Sequence, residues 1–199
     1  MATRLLLLAD THVPARARRL PDDVWRAVDE ADVVVHAGDW VDLATFEALE
    51  ERSRRLIAVW GNNDGDELRE RMPEFAVARI EGVNLGVVHE TGASRGREAR
   101  MDARYPDGVL DLLVFGHSHI PWDSTTASGT RLLNPGSPTD KRRQPRATYL
   151  SLVLDAGTVR DVVLHELPLR PTTRSRRADL PAGPVREIDV IVPHPRRRD

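Results

Sequence analysis

This sequence predicts an α/β fold of four layers, an αββα sandwich in which two packed mixed sheets are flanked by helices. Three observations carry that expectation. Over the first half of the chain, short apolar runs alternate with segments of helical period, the mark of βαβ units and parallel strands. In the second half, strands follow one another across tight turns, the mark of antiparallel pairing. Five of the apolar runs also end in side chains of metal-binding type: Asp10 with His12, Asp39, Asn62, His89, and His117 with His119. Strands of an open α/β sheet deliver such residues to one crevice beyond their carboxyl ends.

The runs at 4–9, 33–37 and 55–60 are continuous, as in strands buried on both faces. Between them, 21–31 (PDDVWRAVDEA) and 41–53 (VDLATFEALEERS) carry the 3.6-residue period of half-buried helices. A short helix follows Asp64 (DGDELRERM) and stops at Pro73, with Asp64 or Asp66 expected to cap its free N–H groups. Strands at 75–80 and 84–89 are joined by Glu81-Gly82-Val83 as a hairpin turn. The polar, Arg-rich stretch 93–105, ending at Pro106, reads as an exposed helix or loop over the crevice. Strands at 111–116, 122–127, 130–134, 147–155 and 158–165 complete the set, with Ser128-Gly129 and Ala156-Gly157 as turns. The domain is expected to span 1–167. From Pro168 the composition turns to Pro and Arg around one apolar patch, Val190-Ile191-Val192, so 168–199 reads as a tail.

Composition narrows the function. With 199 residues, 40% of them hydrophobic and 30% charged, the chain suits one domain with a sizeable core. No apolar stretch approaches the roughly 18 residues of a membrane span. LLLLA after Thr3-Arg4 is shorter than the ~7–15-residue apolar core of a signal peptide. A cytoplasmic protein without a membrane partner is therefore expected. The absence of Cys excludes disulfides and thiolate metal ligands. Formal net charge is −2, so no global field draws the protein to nucleic acid.

Each metal-binding cluster is weak alone. Asp10-x-His12 and Gly38-Asp39 could be helix starts, and Gly61-Asn62-Asn63-Asp64 could be a turn. Gly116-His117-Ser118-His119 is stronger, because two His spaced by one residue after a strand seldom satisfy each other in a core. Specificity lies in the ordered set. Seven groups drawn from imidazole, carboxylate and amide are more than one ion needs and suit two ions sharing a carboxylate. Asp64 reads as a cap or as an acceptor behind a ligand, His36 as a core residue, and His165 and His194 as structural or exposed. Trp25, Trp40, Trp60 and Trp122 fall mostly at helix or strand positions expected in the core, and Trp40, beside Asp39, could instead flank a substrate.

The ordered set resembles the signature of the calcineurin-type metallophosphoesterases: Asp10-x-His12, Gly38-Asp39, Gly61-Asn62-x-Asp64, the lone His89 and Gly116-His117-x-His119. The likeness covers residues 4 to about 165 and is strongest to the small single-domain phosphodiesterase branch, whose Asn-Pro-Gly-Ser segment matches 134–137. It implies a metallophosphoesterase-like fold and hydrolysis of a small phosphodiester by a bridging hydroxide at a dinuclear site, with Mn expected before Fe, Ni or Zn. By the same resemblance, one ion takes Asp10, His12, Asp39 and His119. The other takes Asp39, Asn62, His89 and His117. Asp39, Asn62 and Asn63 are then the catalytic set.

Two departures stand out. Many relatives carry His after the Asn of the third motif, as a proton donor to the leaving oxygen, where this chain has Asn63. The branch tends to His-Gly-His where this chain has His89-Glu90-Thr91. The segment Asn134 to Arg143, which follows a strand and then turns basic, reads as an exposed loop, or as a phosphate-facing lip with backbone N–H groups and Arg142 or Arg143 toward an oxygen. The competing readings are a non-catalytic metal-binding scaffold of the same fold, as in a vacuolar protein-sorting subunit, and a nuclease. A complete ligand set argues against the first. The net charge and the lack of a basic stripe within 1–165 argue against long nucleic acid. The sequence is compatible with a homo-oligomer.

Overall fold

The computed structural model describes residues 1–106 and 108–169. Ten strands and four helices follow one another as β1 (Thr3–Leu8), α1 (Asp22–Glu30), β2 (Val33–Ala37), α2 (Leu43–Arg52), β3 (Leu56–Val59), α3 (Asp66–Arg71), β4 (Phe75–Ile80), β5 (Val83–Val88), α4 (Arg97–Arg104), β6 (Leu112–Phe115), β7 (Trp122–Thr125), β8 (Arg131–Asn134), β9 (Thr148–Asp155) and β10 (Thr158–Glu166) among the described residues. The expected tail falls, from Arg170 onward, outside those residues. No helix among them is long and apolar enough to cross a membrane.

Two five-stranded mixed sheets result, ordered β10-β9-β1-β2-β3 and β4-β5-β6-β8-β7. Strands β1, β2 and β3 are parallel, as are β5, β6 and β8. The period of two sorts the side chains of each inner strand between two layers. Leu5 and Leu7 face the second sheet in the core that also holds Leu85, Val87, Leu112 and Val114. Leu6 and Leu8 face outward onto Val24 and Val28 of α1 and Phe46 and Leu49 of α2. Burying both faces explains why these runs show no alternation in the sequence.

Three expectations need correction. The first concerns α4, which does not lie over the crevice. Its Met101 and the following Tyr105 are buried with Leu110, Leu113, Phe115 and Leu132, so it is the helical layer on the outer face of the second sheet. The Arg-rich sequence disguised it, because Arg97 itself is buried with its guanidinium over the rings of Phe115 and Trp122. The second concerns α3. Gly65 stands at its cap position with no side-chain cap bond, and Asp64 is used elsewhere. The third is the division into parallel first and antiparallel later. The last two strands return to the first sheet, where β9 pairs antiparallel with β1, while the second sheet has a parallel centre.

Candidate metal centre

All seven expected ligands come together at the carboxyl ends of β1, β2, β3, β5 and β6. Backbone bonds tie neighbouring strand ends: Asp10 N–H donates to Gly38 O (2.9 Å), His12 N–H to Asp39 O (3.1 Å) and Gly116 N–H to His89 O (2.9 Å). The chain turns sharply there. Asp10, His12, Asp39, His117 and His119 all have positive φ, between 44° and 69°. Left-handed backbone costs a non-glycine residue on the order of 1 kcal/mol or more, so five such residues in one crevice record strain that the surroundings impose. Gly38 and Gly61 make the approach close enough. A Cβ on Gly38 would lie 2.8 Å from His89 Nδ1, and one on Gly61 would collide with the Asp39 carboxylate.

The imidazoles are aimed. His89 Nδ1–H donates to Ala37 O (2.7 Å) and His119 Nδ1–H to Asp140 O (2.6 Å). Each ring therefore presents Nε2 to the crevice, the usual arrangement behind a metal-ligating His. His119 Nε2 lies 3.2 Å from His12 Nε2 and 3.6 Å from Asp10 Oδ1. Asp39 Oδ2 lies 3.4 Å from Nε2 of both His12 and His89. Asn62 Oδ1 lies 3.0 Å from His89 Nε2 and 2.8 Å from His117 Nδ1. Ligand atoms of Asp10, His12 and His119 fall within 4.8 Å of one another, as do those of Asp10, Asp39 and His89.

The electrostatics fit a cation. Asp10 is fully buried, its Oδ1 accepts the His117 N–H (3.0 Å), and its Oδ2 has no hydrogen-bond partner among the described residues. A buried carboxylate oxygen without a donor is costly, and a cation or a proton there would relieve the cost. Burial pushes the Asp10 carboxyl up to about 7, with the Asp39 charge adding to that. Burial would also raise Asp39, but hydrogen bonds from His89 and Asn63 hold it well below the usual carboxylate range. His12 is lowered and His119 is brought down to about 4, burial being the main cause in both. Burial lowers His89 as well, yet the carboxylates of Asp39 and Asp10 outweigh it and raise the imidazole. A proton at His89 Nε2 thus competes with a cation for one position.

Several residues act behind these ligands. Asp64 accepts from the N–H groups of Gly61 (2.7 Å), Val41 (2.8 Å) and Asp39 (3.1 Å), so it is an anchor for two ligand loops instead of a helix cap. Asn63 donates its N–H and its Nδ2–H to the Asp39 carboxylate (2.8 and 2.7 Å), which engages part of its amide with the protein. His36 is fully buried, accepts the Gly38 N–H at Nδ1 and contacts Thr11 Oγ1 through Nε2. Trp40 does not flank a substrate. It is fully buried, stacks on His36 with centroids 3.5 Å apart, and donates to Val59 O.

The segment 134–140 corrects another expectation, that of an exposed loop or lip. Residues 134–138 are buried. Asn134 donates to Gly116 O, Ser137 to Asp10 O (2.7 Å) and Thr139 to Thr11 O, while Asp140 O receives His119. It is a brace that holds the Asp10 and His119 loops at fixed separation. The only sequence signal for this was the Asn-Pro-Gly-Ser run, whose Ser and Asn could have been read as loop clamps. Arg142 and Arg143 beyond it are exposed.

The chain is similar to known proteins in the same terms. It is 31% identical over 137 residues to a probable metallophosphoesterase of Methanocaldococcus jannaschii, covering 68% of each chain. It is 21% identical over 124 residues to a phosphodiesterase of the same organism, covering 57% of this chain and 71% of that one. The solution NMR structure of a Thermotoga maritima protein superposes with a TM-score of 0.66 at 37% identity, covering 83% of this chain and 99% of that one. The fold is shared with Vps29 of Entamoeba histolytica, solved with zinc (TM-score 0.63, 21% identity, 82% of this chain and 98% of that one). The family model of the calcineurin-like phosphoesterase superfamily domain matches residues 3–157, and the chain belongs to that superfamily.

Proposed function

We propose that this phosphoesterase is a phosphodiesterase whose site holds two divalent cations, with Asp39 between them. The observation that carries the reading is the place of Asp39 Oδ2, equally distant from a nitrogen of His12 and one of His89. Asp10, His12 and His119 with Asp39 would hold one ion, and Asn62, His89 and His117 with Asp39 the other. Asp10 belongs to both tight groups of ligand atoms. We nonetheless assign the bridge to Asp39, because its Oδ2 lies 3.4 Å from an imidazole nitrogen of each group. Bound divalent ions supply Lewis acidity toward phosphoryl oxygens and lower the pKa of a water in the site.

The side chains define the rest. Two ligating carboxylates against two dications leave the crevice net positive, which suits an anionic phosphate. Asn63 orients Asp39 and has no proton to give at a useful pKa, so good leaving groups are favoured. The likeness to a phosphodiesterase supports diesters over monoesters. Mixed N and O donors suit Mn, Fe, Ni or Zn. Manganese is our assignment, with zinc, held by the Vps29 relative, as the second candidate. A small diester in the cytoplasm fits the net charge of −2 better than long nucleic acid.

The test is reconstitution with Mn, Fe, Ni or Zn, followed by metal analysis and assays on aryl phosphodiesters, aryl monoesters and cyclic nucleotides. About two equivalents of metal and preferred diester hydrolysis are expected. One equivalent in fully active protein would overturn the two-ion reading. Two equivalents with no hydrolysis of any substrate would favour the scaffold reading.

A further inference from the structure

One acidic side chain stands at the mouth of the site beside the candidate ligands. Glu90 follows the ligand His89, is exposed, and places Oε1 3.9 Å from His117 Nε2, the most exposed imidazole of the set. No hydrogen bond engages its carboxylate among the described residues. Its backbone is nevertheless held from both sides. On one, His89 is buried and bonded to Ala37 O. On the other, the loop that follows is stapled to α4: Arg100 donates to the carbonyls of Thr91, Ala93 and Arg95, and Arg97 to that of Gly92. Across His117 stands the opposite charge. Arg142 is exposed, donates to His117 O (3.4 Å), and its charge reaches Asp10, His12 and His119.

Two opposite charges thus flank His117, the Arg142 guanidinium at its carbonyl and the Glu90 carboxylate at its Nε2. A phosphate monoester above its second pKa of about 6 carries two negative charges, whereas a diester carries one. Coulomb repulsion from a fixed carboxylate doubles when the charge of the ligand doubles. We infer that Glu90 is a charge filter: it disfavours dianionic phosphate monoesters and leaves monoanionic diesters as the substrates of this site. The inference rests on the phosphoester reading above and supplies that reading with its selectivity.

The test is binding, with inorganic phosphate as the dianion and dimethyl phosphate as the monoanion. Calorimetry at pH 8 and low salt compares Mn-loaded native protein with Glu90→Gln and Glu90→Asp, after equal metal content and unchanged melting temperature are verified. Glu90→Gln should tighten phosphate about tenfold and dimethyl phosphate only about threefold, and the difference should vanish near 1 M salt, where the screening length falls to about 3 Å. Glu90→Asp should keep the native ratio. Equal tightening of both anions, or none, would overturn the filter. Hydrolysis is read in parallel: monoester turnover should rise more than diester turnover in Glu90→Gln. A native protein that hydrolyses neither ester, yet shows the unequal tightening, would retain the filter and refute the phosphodiesterase reading.

Discussion

The two halves of the site are built differently. On the Asp10, His12 and His119 side, every ligand is buried and the His119 side chain is 0% exposed. The 134–140 brace holds that side through Ser137, Thr139 and Asp140. On the Asn62 and His117 side, Asn62 is exposed and the His117 side chain is 43% exposed, and the two are bonded chiefly to each other. Its links to the interior are the buried His89 and the His117 N–H, which donates to Asp10 Oδ1. The same ligand chemistry is therefore delivered once by a rigid interior and once by side chains that water reaches. One half can be perturbed only at the expense of the fold, and the other can be altered almost freely, which is where a substrate-facing specificity would be carried.

Asp39 joins the halves, and Asp39→Asn is the largest blow. Metal should be lost from one or both positions and turnover should fall at least about 10³-fold, the scale of losing a transition-state electrostatic contact. Normal metal content with near-native turnover would remove Asp39 from the bridge.

The buried half should show its cost in stability. The Asp10 carboxyl, raised by burial to about 7 from 3.8, is neutral in both folded and unfolded states at low pH. As pH climbs through 3.8 the unfolded chain ionises first, so chelator-stripped protein should lose stability between about pH 4 and 7, by up to on the order of 4 kcal/mol. Asp10→Asn should flatten that contribution and raise the melting temperature of stripped protein at pH 8, while abolishing activity. A native melting temperature that does not respond to Asp10→Asn at pH 8 would mean that the carboxylate is not trapped without a partner.

Matched substitutions then separate the halves directly. His119→Ala deprives Asp140 O of its donor in the interior and should cost roughly 1–3 kcal/mol in denaturant unfolding. His117→Ala, half-exposed, should stay within about 0.5 kcal/mol. Both should lose activity. Equal destabilisation would break the contrast.

The smallest expected change is a gain. In Asn63→His a proton donor replaces the amide, and activity toward poor leaving groups should rise about tenfold, short of the ~10²–10⁴ that general acid catalysis can supply. The shortfall follows from structure, because the same substitution removes the Nδ2–H bond to Asp39. A graded leaving-group series on both proteins measures it. A flat dependence in the native enzyme would show that another group already donates the proton.

Local order in the chain was enough for much of this. The apolar runs, their periods and the residue types at their ends located β1, β2, β3, β5 and β6 and the seven side chains that meet in the crevice, because strand direction alone carries each run's last residue there. Asp64 was open to two readings, and the structure takes the one in which its carboxylate anchors ligand loops. What the sequence left unreadable depends on contacts between distant segments. Nothing in Asn134 to Asp140 says that Ser137 will bond to Asp10, 127 residues earlier. An Arg in α4 reads as solvent-facing until two rings from other strands enclose it, and Trp40 reads equally as core or as substrate-facing until His36 stacks on it.

The sequence by itself therefore determined the chemistry: which atoms could meet a metal, that no thiolate would be among them, and that strands would present them. Tertiary structure alone decided the partition of those atoms. That β9 returns to pair with β1, that five ligand residues are bent into left-handed backbone, and that one half of the site is sealed while the other is open all follow from packing two sheets face to face. The physical reason is range. Side-chain type and period act within a few residues, whereas burial, and with it the Asp10 shift and the unpartnered Asp10 oxygen, is set by what the rest of the chain places on top.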